Sequence, residues 1–136
     1  FDPWRVQPPP HEGKYVDTIN DYYAIKIAEY LKDKPNKFVC MFASTKEFYG
    51  VHKAFEDYTF VRHQDIRERI MWFKNLVYCG FHHGRCTIDT HDSGAKFLSQ
   101  DKANFNIYFK KELLCLLPGD SWIQMDNKSK QYGELI

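Results

Sequence analysis

The spacing of apolar residues divides the first part of the chain into a helix, a strand and a second helix. From Thr18 to Pro35, apolar residues recur at helical spacing, and the start of this segment resembles a capping box. Residues 37–43 are apolar at almost every position, which is typical of a strand that is covered on both faces. Ser44 and Glu47 have the spacing of a further capping box, so a helix is predicted to begin directly after this strand.

The same alternation of strand and helix continues through the middle of the chain. Residues 58–62 are predicted to form a short strand, residues 65–74 a helix and residues 76–81 a third strand. Strands that alternate with helices are typical of βαβ units, whose right-handed crossovers make successive strands parallel. The pattern therefore predicts three parallel strands in one sheet.

The strands that follow are predicted to be antiparallel, because their connections are short or contain no helix. A two-residue turn at His83–Gly84 would join the third strand to a strand at 85–90, and residues 104–110 form a further strand. Pro118–Gly119 has the chemistry of a type II turn. The predicted fold class is α/β, a mixed sheet with three parallel strands and antiparallel C-terminal strands and with helices packed on it. The alternative is an α+β fold with an antiparallel sheet.

Three regions of different composition are predicted along the chain. Residues 1–13, which contain four of the six prolines, should form a Pro-rich extended arm. Residues 14–126 should form a single globular domain, since 136 residues with 43% hydrophobic content suit one core. Residues 127–136 are polar and are predicted to be a solvated tail.

The charge balance and the positions of the cysteines limit the functions that the protein could have. The 19 basic residues are interspersed with 18 acidic ones, which argues against the broad basic face of a non-specific duplex-binding protein. The sequence contains neither an apolar run long enough for a membrane span nor a signal-peptide pattern, so no membrane association is expected. Its four cysteines lie mostly in apolar runs, which suits reduced thiols. We expect a piece of a larger intracellular protein, either nuclear or cytoplasmic.

The stretch from Tyr78 to His91 combines cysteines and histidines, the residue types that bind zinc. Cys79, His82, Cys86 and His91 would supply two sulfurs and two nitrogens. In the predicted hairpin, however, both cysteines face the core while His82 faces the opposite side. The register therefore favours core thiols and no cofactor, with zinc as the alternative.

A polar crevice is predicted where the three parallel strands end. Ligands of open α/β sheets bind outside the carboxyl ends of the strands, where loops and helix N-termini converge. The residues that follow the three strands carry hydroxyl, imidazole and cationic groups, all of which can contact an anion. The predicted ligand-binding residues are Ser44, Thr45, Lys46, His63, His82 and Arg85.

These observations predict a non-catalytic interaction domain that binds a protein or nucleic-acid partner through a polar, partly cationic crevice, with a protein partner favoured. The aromatic content of 17% supports this, because Tyr and Trp are frequent interface anchors. A homodimer that pairs along an antiparallel edge at residues 104–110 is a further prediction.

Two alternative functions remain open at this point. One is a single-stranded nucleic-acid-binding module in which bases stack on Tyr78 and Tyr108. The other is a phosphoesterase or nuclease in which His63 and His82 act as general acid and base. The sequence has none of the common motifs for nucleotide binding, serine hydrolysis or zinc proteolysis, which favours binding over catalysis.

Overall fold

The computed structural model describes residues 14–34, 39–41, 52–58, 60–100 and 105–136. Two short 3-10 turns, Lys53–Phe55 and His63–Asp65, accompany the helices and strands in these ranges. In chain order the elements are α1 (Lys14–Leu31), β1 (Val39–Met41), β2 (Phe60–Arg62), α2 (Ile66–Ile70), β3 (Asn75–Phe81), α3 (Cys86–Asp89), α4 (Ala95–Leu98), β4 (Asn106–Cys115), α5 (Trp122–Ser129) and β5 (Glu134–Leu135).

The strands in the described ranges pair in parallel and form two sheets. β1 pairs with β2, and a second sheet has the strand order β3-β4-β5. From β2 onward, helices alternate with the strands, so the prediction of an α/β fold is confirmed. The three strands that the sequence places in one parallel sheet are instead divided, because β3 pairs with β4 and not with β2.

The predicted hairpin after β3 is wrong. Gly84 has a φ of 73°, and the chain after it turns into α3 rather than into a returning strand. The amide of Thr87 donates to the carbonyl of His82 at 3.4 Å, and that of Ile88 donates to Arg85 at 2.9 Å. These local hydrogen bonds satisfy the groups that a hairpin ladder would have used.

The predictions for the C-terminal part also need correction. β4 runs parallel to β3, because the connection between them contains α3 and α4 and returns the chain to its starting end. It lies between β3 and β5, so it is not the free antiparallel edge predicted at residues 104–110 for a homodimer. Residues 127–136 are not a solvated tail, since they complete α5, with Ser129 fully buried, and form β5.

Two apolar clusters lie on either side of β4. The first contains Ile88, Ile107 and Leu114 together with residues of β2, α2 and α4. The second joins Ile27 of α1 to Leu113. Successive residues of a strand point to opposite faces, so Leu113 and Leu114 bury β4 from both sides.

The first helix begins earlier than the sequence predicts. Thr18 lies inside α1 and is not its N-cap, since the helix starts at Lys14. Ile27, which the helical spacing places on the inner face, is fully buried. Within the described ranges, no helix has both the length and the apolar content that crossing a membrane requires.

Candidate functional site

Each of the two predicted acid–base histidines directly follows a strand, but these two strands belong to different sheets and not to the one parallel sheet that the sequence predicts. His63 comes directly after β2, and His82 comes directly after β3. Residues 44–46, which should complete the crevice, lie outside the described residues, so their participation stays a prediction. The chemistry of the site therefore has to be argued from His63, His82 and Arg85.

His63 is a buried, neutral histidine. Its Nδ1 shares a hydrogen bond with the hydroxyl of Ser93, which precedes α4. Burial lowers the pKa of His63 to about 4, against the opposing effect of the nearby Asp92 carboxylate. At neutral pH the ring is uncharged, so it can hold the Ser93 loop but supplies no positive charge to an anionic ligand.

The stability of the fold should fall as the pH drops from about 6.5 to about 4 because of His63. The unfolded chain binds the proton at the ordinary pKa of 6.5, whereas the folded chain resists it until about 4. Protonation thus favours unfolding in this window, by an amount on the order of 3 kcal/mol for this residue. Urea unfolding at pH 7 and pH 4 measures the loss, and a His63→Gln variant should show a loss smaller by about that amount.

A matched comparison uses His52, another buried histidine. Its Nε2 lies 2.8 Å from a carboxylate oxygen of Asp21, and its Nδ1 accepts the amide of Ala54 at 3.1 Å. A His52→Gln variant should keep the pH dependence that His63 causes. If the wild-type chain and His63→Gln showed equal pH dependence of stability, His63 would not be its cause.

His82 lies four residues before Cys86, the first residue of α3. The Nδ1 of His82 is 3.9 Å from the Sγ of Cys86, which is consistent with a weak hydrogen bond to sulfur. His82 is buried while Cys86 is exposed, contrary to the hairpin register, which places Cys86 in the core. The helical geometry of residues 86–89 accounts for this reversal.

The four candidate zinc ligands are not gathered at one point. Cys79 packs against the second apolar cluster, where burial raises the pKa of its thiol to about 11. His91 is exposed, forms an ion pair with Asp92 at 2.9 Å and lies against the ring of Phe97. No group of three or more His, Cys, Asp or Glu side chains in the described ranges is arranged to hold a metal ion.

Arg85 is exposed but has its charge compensated within the chain. Its Nε and one terminal nitrogen donate to the two carboxylate oxygens of Asp120, each at 2.6 Å. These hydrogen bonds and the carboxylate charge raise the pKa of Arg85 above its ordinary value. An anionic ligand would have to displace Asp120, so Arg85 is a weaker anion contact than the sequence predicts.

A buried cluster around His83 was missed by the sequence interpretation. His83 is fully buried, and its Nε2 lies 2.8 Å from an oxygen of Asp126, whose other oxygen accepts from Lys111 at 2.6 Å. Ser129 is 3.4 Å from Nδ1 of the same ring. The sequence does contain one indication of this cluster. Ser121 and Gln124 have the spacing of a capping box, which predicts a helix with positions 126 and 129 on one face.

The charges in this cluster follow from opposing effects. Burial lowers the pKa of His83, although its hydrogen bond to Asp126 acts in the other direction. Burial alone would raise the pKa of Asp126, but its hydrogen bonds to Lys111 and His83 lower it overall. At neutral pH, a neutral His83 and a cationic Lys111 therefore donate to an ionised Asp126.

The cluster has the residue types of an acid–base relay, but its geometry is that of a structural cross-link. Ser129 is fully buried and its hydroxyl also donates to the carbonyl of Met125 at 2.8 Å. No solvent-accessible atom of His83 or Ser129 is available to a substrate. The contacts connect the end of β3 to β4 and α5, which fixes the C-terminal part of the fold.

Large apolar side chains, in contrast, are exposed. Trp72 is 85% exposed and Ile123 is 74% exposed. The others are Tyr22 and Ile25 on the outer face of α1, Met71 beside Trp72, and Trp122 on α5. Exposed aromatic and aliphatic side chains of this size are the residues that most often anchor protein partners.

Comparison with protein-family models, with curated proteins and with solved structures finds no significant match to this chain. The function has to be argued from the distribution of its side chains alone.

Proposed function

We propose that this chain is a non-catalytic binding domain whose partner is another protein. The observation that carries the proposal is the contrast between buried histidines and exposed apolar side chains. His63 and His82 are at least nine-tenths buried, whereas Trp72 and Ile123 expose most of their surface. An enzyme needs its acid and base within reach of a substrate, while a binding domain needs accessible anchors.

The single-stranded nucleic-acid alternative receives less support. Tyr78, one of the two predicted stacking platforms, is stacked on Phe109 with ring centroids 5.4 Å apart. Its hydroxyl donates to the carbonyl of Ser93 at 2.6 Å, which fixes the ring. A base cannot occupy a face that Phe109 already covers, and the balanced net charge of +1 offers little attraction for a phosphate backbone.

The polar crevice remains part of the proposal in a reduced role. Arg85 is engaged with Asp120, and His63 is neutral, so the cationic character predicted for the crevice depends on Lys46. We expect such groups to set orientation at the rim of an interface, while apolar anchors supply most of the affinity. An intracellular protein, nuclear or cytoplasmic, remains the expected context.

Photo-crosslinking tests the proposal directly. A benzophenone amino acid is placed in turn at Met71, Ile25 and Ile123, three exposed positions on different elements, and the chains are irradiated in cell extract. We expect at least one position to give an adduct of fixed mass that excess wild-type chain competes away and that nuclease leaves intact. An adduct of twice the chain mass would show that the partner is a second copy.

Two results would contradict the proposal. One is the absence of a competed adduct at all three positions, and the other is an adduct that nuclease removes. Turnover of a generic phosphodiester that disappears in both His63→Ala and His82→Ala would replace binding with the hydrolase alternative. We expect no such turnover, because both rings are buried.

A further inference from the structure

We infer that Arg69, Met71, Trp72 and Lys74, here called the Trp72 face, bind an acidic, apolar segment of the partner protein. This inference rests on the proposed function and adds the surface and the chemistry of the partner. It depends on three features: how the turn after α2 is held, which charges surround Trp72, and how the other exposed aromatic side chains differ.

The turn after α2 holds Trp72 outward. Ile70, the last residue of α2, is buried, and Phe73 packs against the first apolar cluster. The amide of Phe73 donates to the carbonyl of Ile70 at 2.8 Å and closes the turn between these two inward residues. Met71 and Trp72 lie between them and are 57% and 85% exposed. The backbone is fixed before binding, so less conformational entropy is lost when a partner docks.

The segment of the chain that contains Trp72 has a net positive charge. Residues 67–74 contain the three cations Arg67, Arg69 and Lys74 and one acid, Glu68, in a chain whose overall net charge is only +1. Arg69 and Lys74 are exposed, on either side of the apolar pair. Carboxylates on a partner segment would complement these cations while its apolar side chains cover Trp72.

The other exposed aromatic side chains do not combine high exposure with a net positive neighbourhood. The ring of Trp122 has the Lys111 ammonium 5.4 Å from its centroid and the His83 ring at 5.5 Å, so part of this exposed ring is already in contact with the chain itself. Tyr22 has Lys26 over its ring at 5.1 Å. The helix around it also carries acids, so its surface is mixed in charge. Among these aromatic residues, Trp72 is the one that joins high exposure to a net positive neighbourhood.

A protein segment suits the Trp72 face better than a nucleic acid. Met71 offers an aliphatic surface that packs against apolar side chains, whereas single strands bind to successive aromatic rings along a basic groove. The proposed partner segment therefore contains Asp or Glu interspersed with Leu or Phe.

Fluorescence anisotropy of labelled peptides tests this chemistry on the full chain. One peptide alternates Glu with Leu and Phe, and a matched peptide has Lys at every Glu position. We expect the wild-type chain to bind the Glu peptide and not the Lys peptide. Trp72→Ala should weaken binding by about tenfold or more, as for an interface anchor, and Trp72→Phe should retain most of it. A double Arg69→Glu, Lys74→Glu variant should reverse the preference between the peptides.

Matched controls separate the face from the rest of the surface. Ile136→Ala removes another exposed apolar side chain, and a double Lys53→Glu, Lys130→Glu variant makes the same change in charge elsewhere. Both controls should bind the Glu peptide like the wild-type chain. Thermal unfolding of every variant should show an unchanged midpoint, because all the substituted residues are exposed.

Several outcomes would overturn the inference. Equal binding of both peptides, no binding of either, or no effect of Trp72→Ala would each do so. Trp72-dependent binding of a 20-residue oligothymidine, or of phosphatidylserine vesicles, in place of the Glu peptide would assign the face to another class of partner. If Ile25 or Ile123 gives competed crosslinks while Met71 does not, the proposed function stands and this inference fails.

Discussion

Replacing Gly94 by alanine is expected to destabilise the fold by about 3 kcal/mol or more. A methyl group at this position would lie 2.3 Å from the carbonyl oxygen of Ile88 and 2.7 Å from that of Thr90. Both atoms belong to the backbone and cannot rotate away, and the amide of Gly94 donates to Thr90 at 2.8 Å in the same tight turn. Urea unfolding, with the midpoint and slope fitted together, measures the loss.

Gly119 provides the control for this substitution. Its φ of 90° disfavours any side chain, but a methyl group there would have no neighbour within 4 Å. Gly119→Ala should therefore cost only the backbone strain, about 1 to 2 kcal/mol. If Gly119→Ala proved as costly as Gly94→Ala, the close approach at Gly94 would not explain its effect.

The pattern of apolar residues predicted the type of secondary structure correctly in several segments. Of the helix predicted at 65–74, residues 66–70 form α2, with Ile66 and Ile70 buried as their spacing indicates, whereas residues 71–74 form the turn before β3. The positive φ of Gly119 agrees with the predicted type II turn. Strands β1 and β2 also lie within the predicted segments, and β3 begins one residue before its predicted segment, because each contains an apolar run of strand length.

The pattern failed where short segments could adopt either structure. Residues 85–90 alternate polar and apolar side chains, which is typical of a strand, yet residues 86–89 form α3. The left-handed Gly84 and the hydrogen bond from its amide to the Thr87 hydroxyl at 3.2 Å start a helical turn that alternation does not reveal. The direction of β4 depends on the same error, since a hairpin and a crossover place the next strand in opposite directions.

The order of the elements predicted that His63 and His82 each follow a strand, but not that these strands belong to different sheets. The protonation and accessibility of these histidines depend on partners distant in sequence, as with Ser93 beside His63. Arg85 likewise meets Asp120 only because α3 forms beside the turn before α5. Pairings of this kind come from tertiary packing, which single-sequence periodicity does not encode.

Replacing Asp126 by alanine is expected to destabilise the fold by about 2 to 3 kcal/mol, the upper part of the range for leaving a buried polar group without its partner. The substitution leaves the Nε2 of the fully buried His83 without its acceptor and leaves Lys111 without its counter-ion. The buried ring then loses an interaction that water cannot replace, whereas the half-exposed Lys111 side chain remains hydrated. Chemical unfolding at pH 7 measures the difference from the wild-type chain.

The pH dependence distinguishes this ion pair from a simple loss of packing. The pKa of Asp126 is lowered below 3.8 in the folded state, so its contribution is present at neutral pH and is lost as the pH falls through the folded-state pKa. The difference between the wild-type chain and Asp126→Ala should therefore shrink in strong acid. Asp126→Asn, which keeps an acceptor for His83 and removes the charge that pairs with Lys111, should lose less stability at neutral pH. A constant difference at every pH, with Asn no better than Ala, would mean that residue 126 stabilises the fold through shape alone.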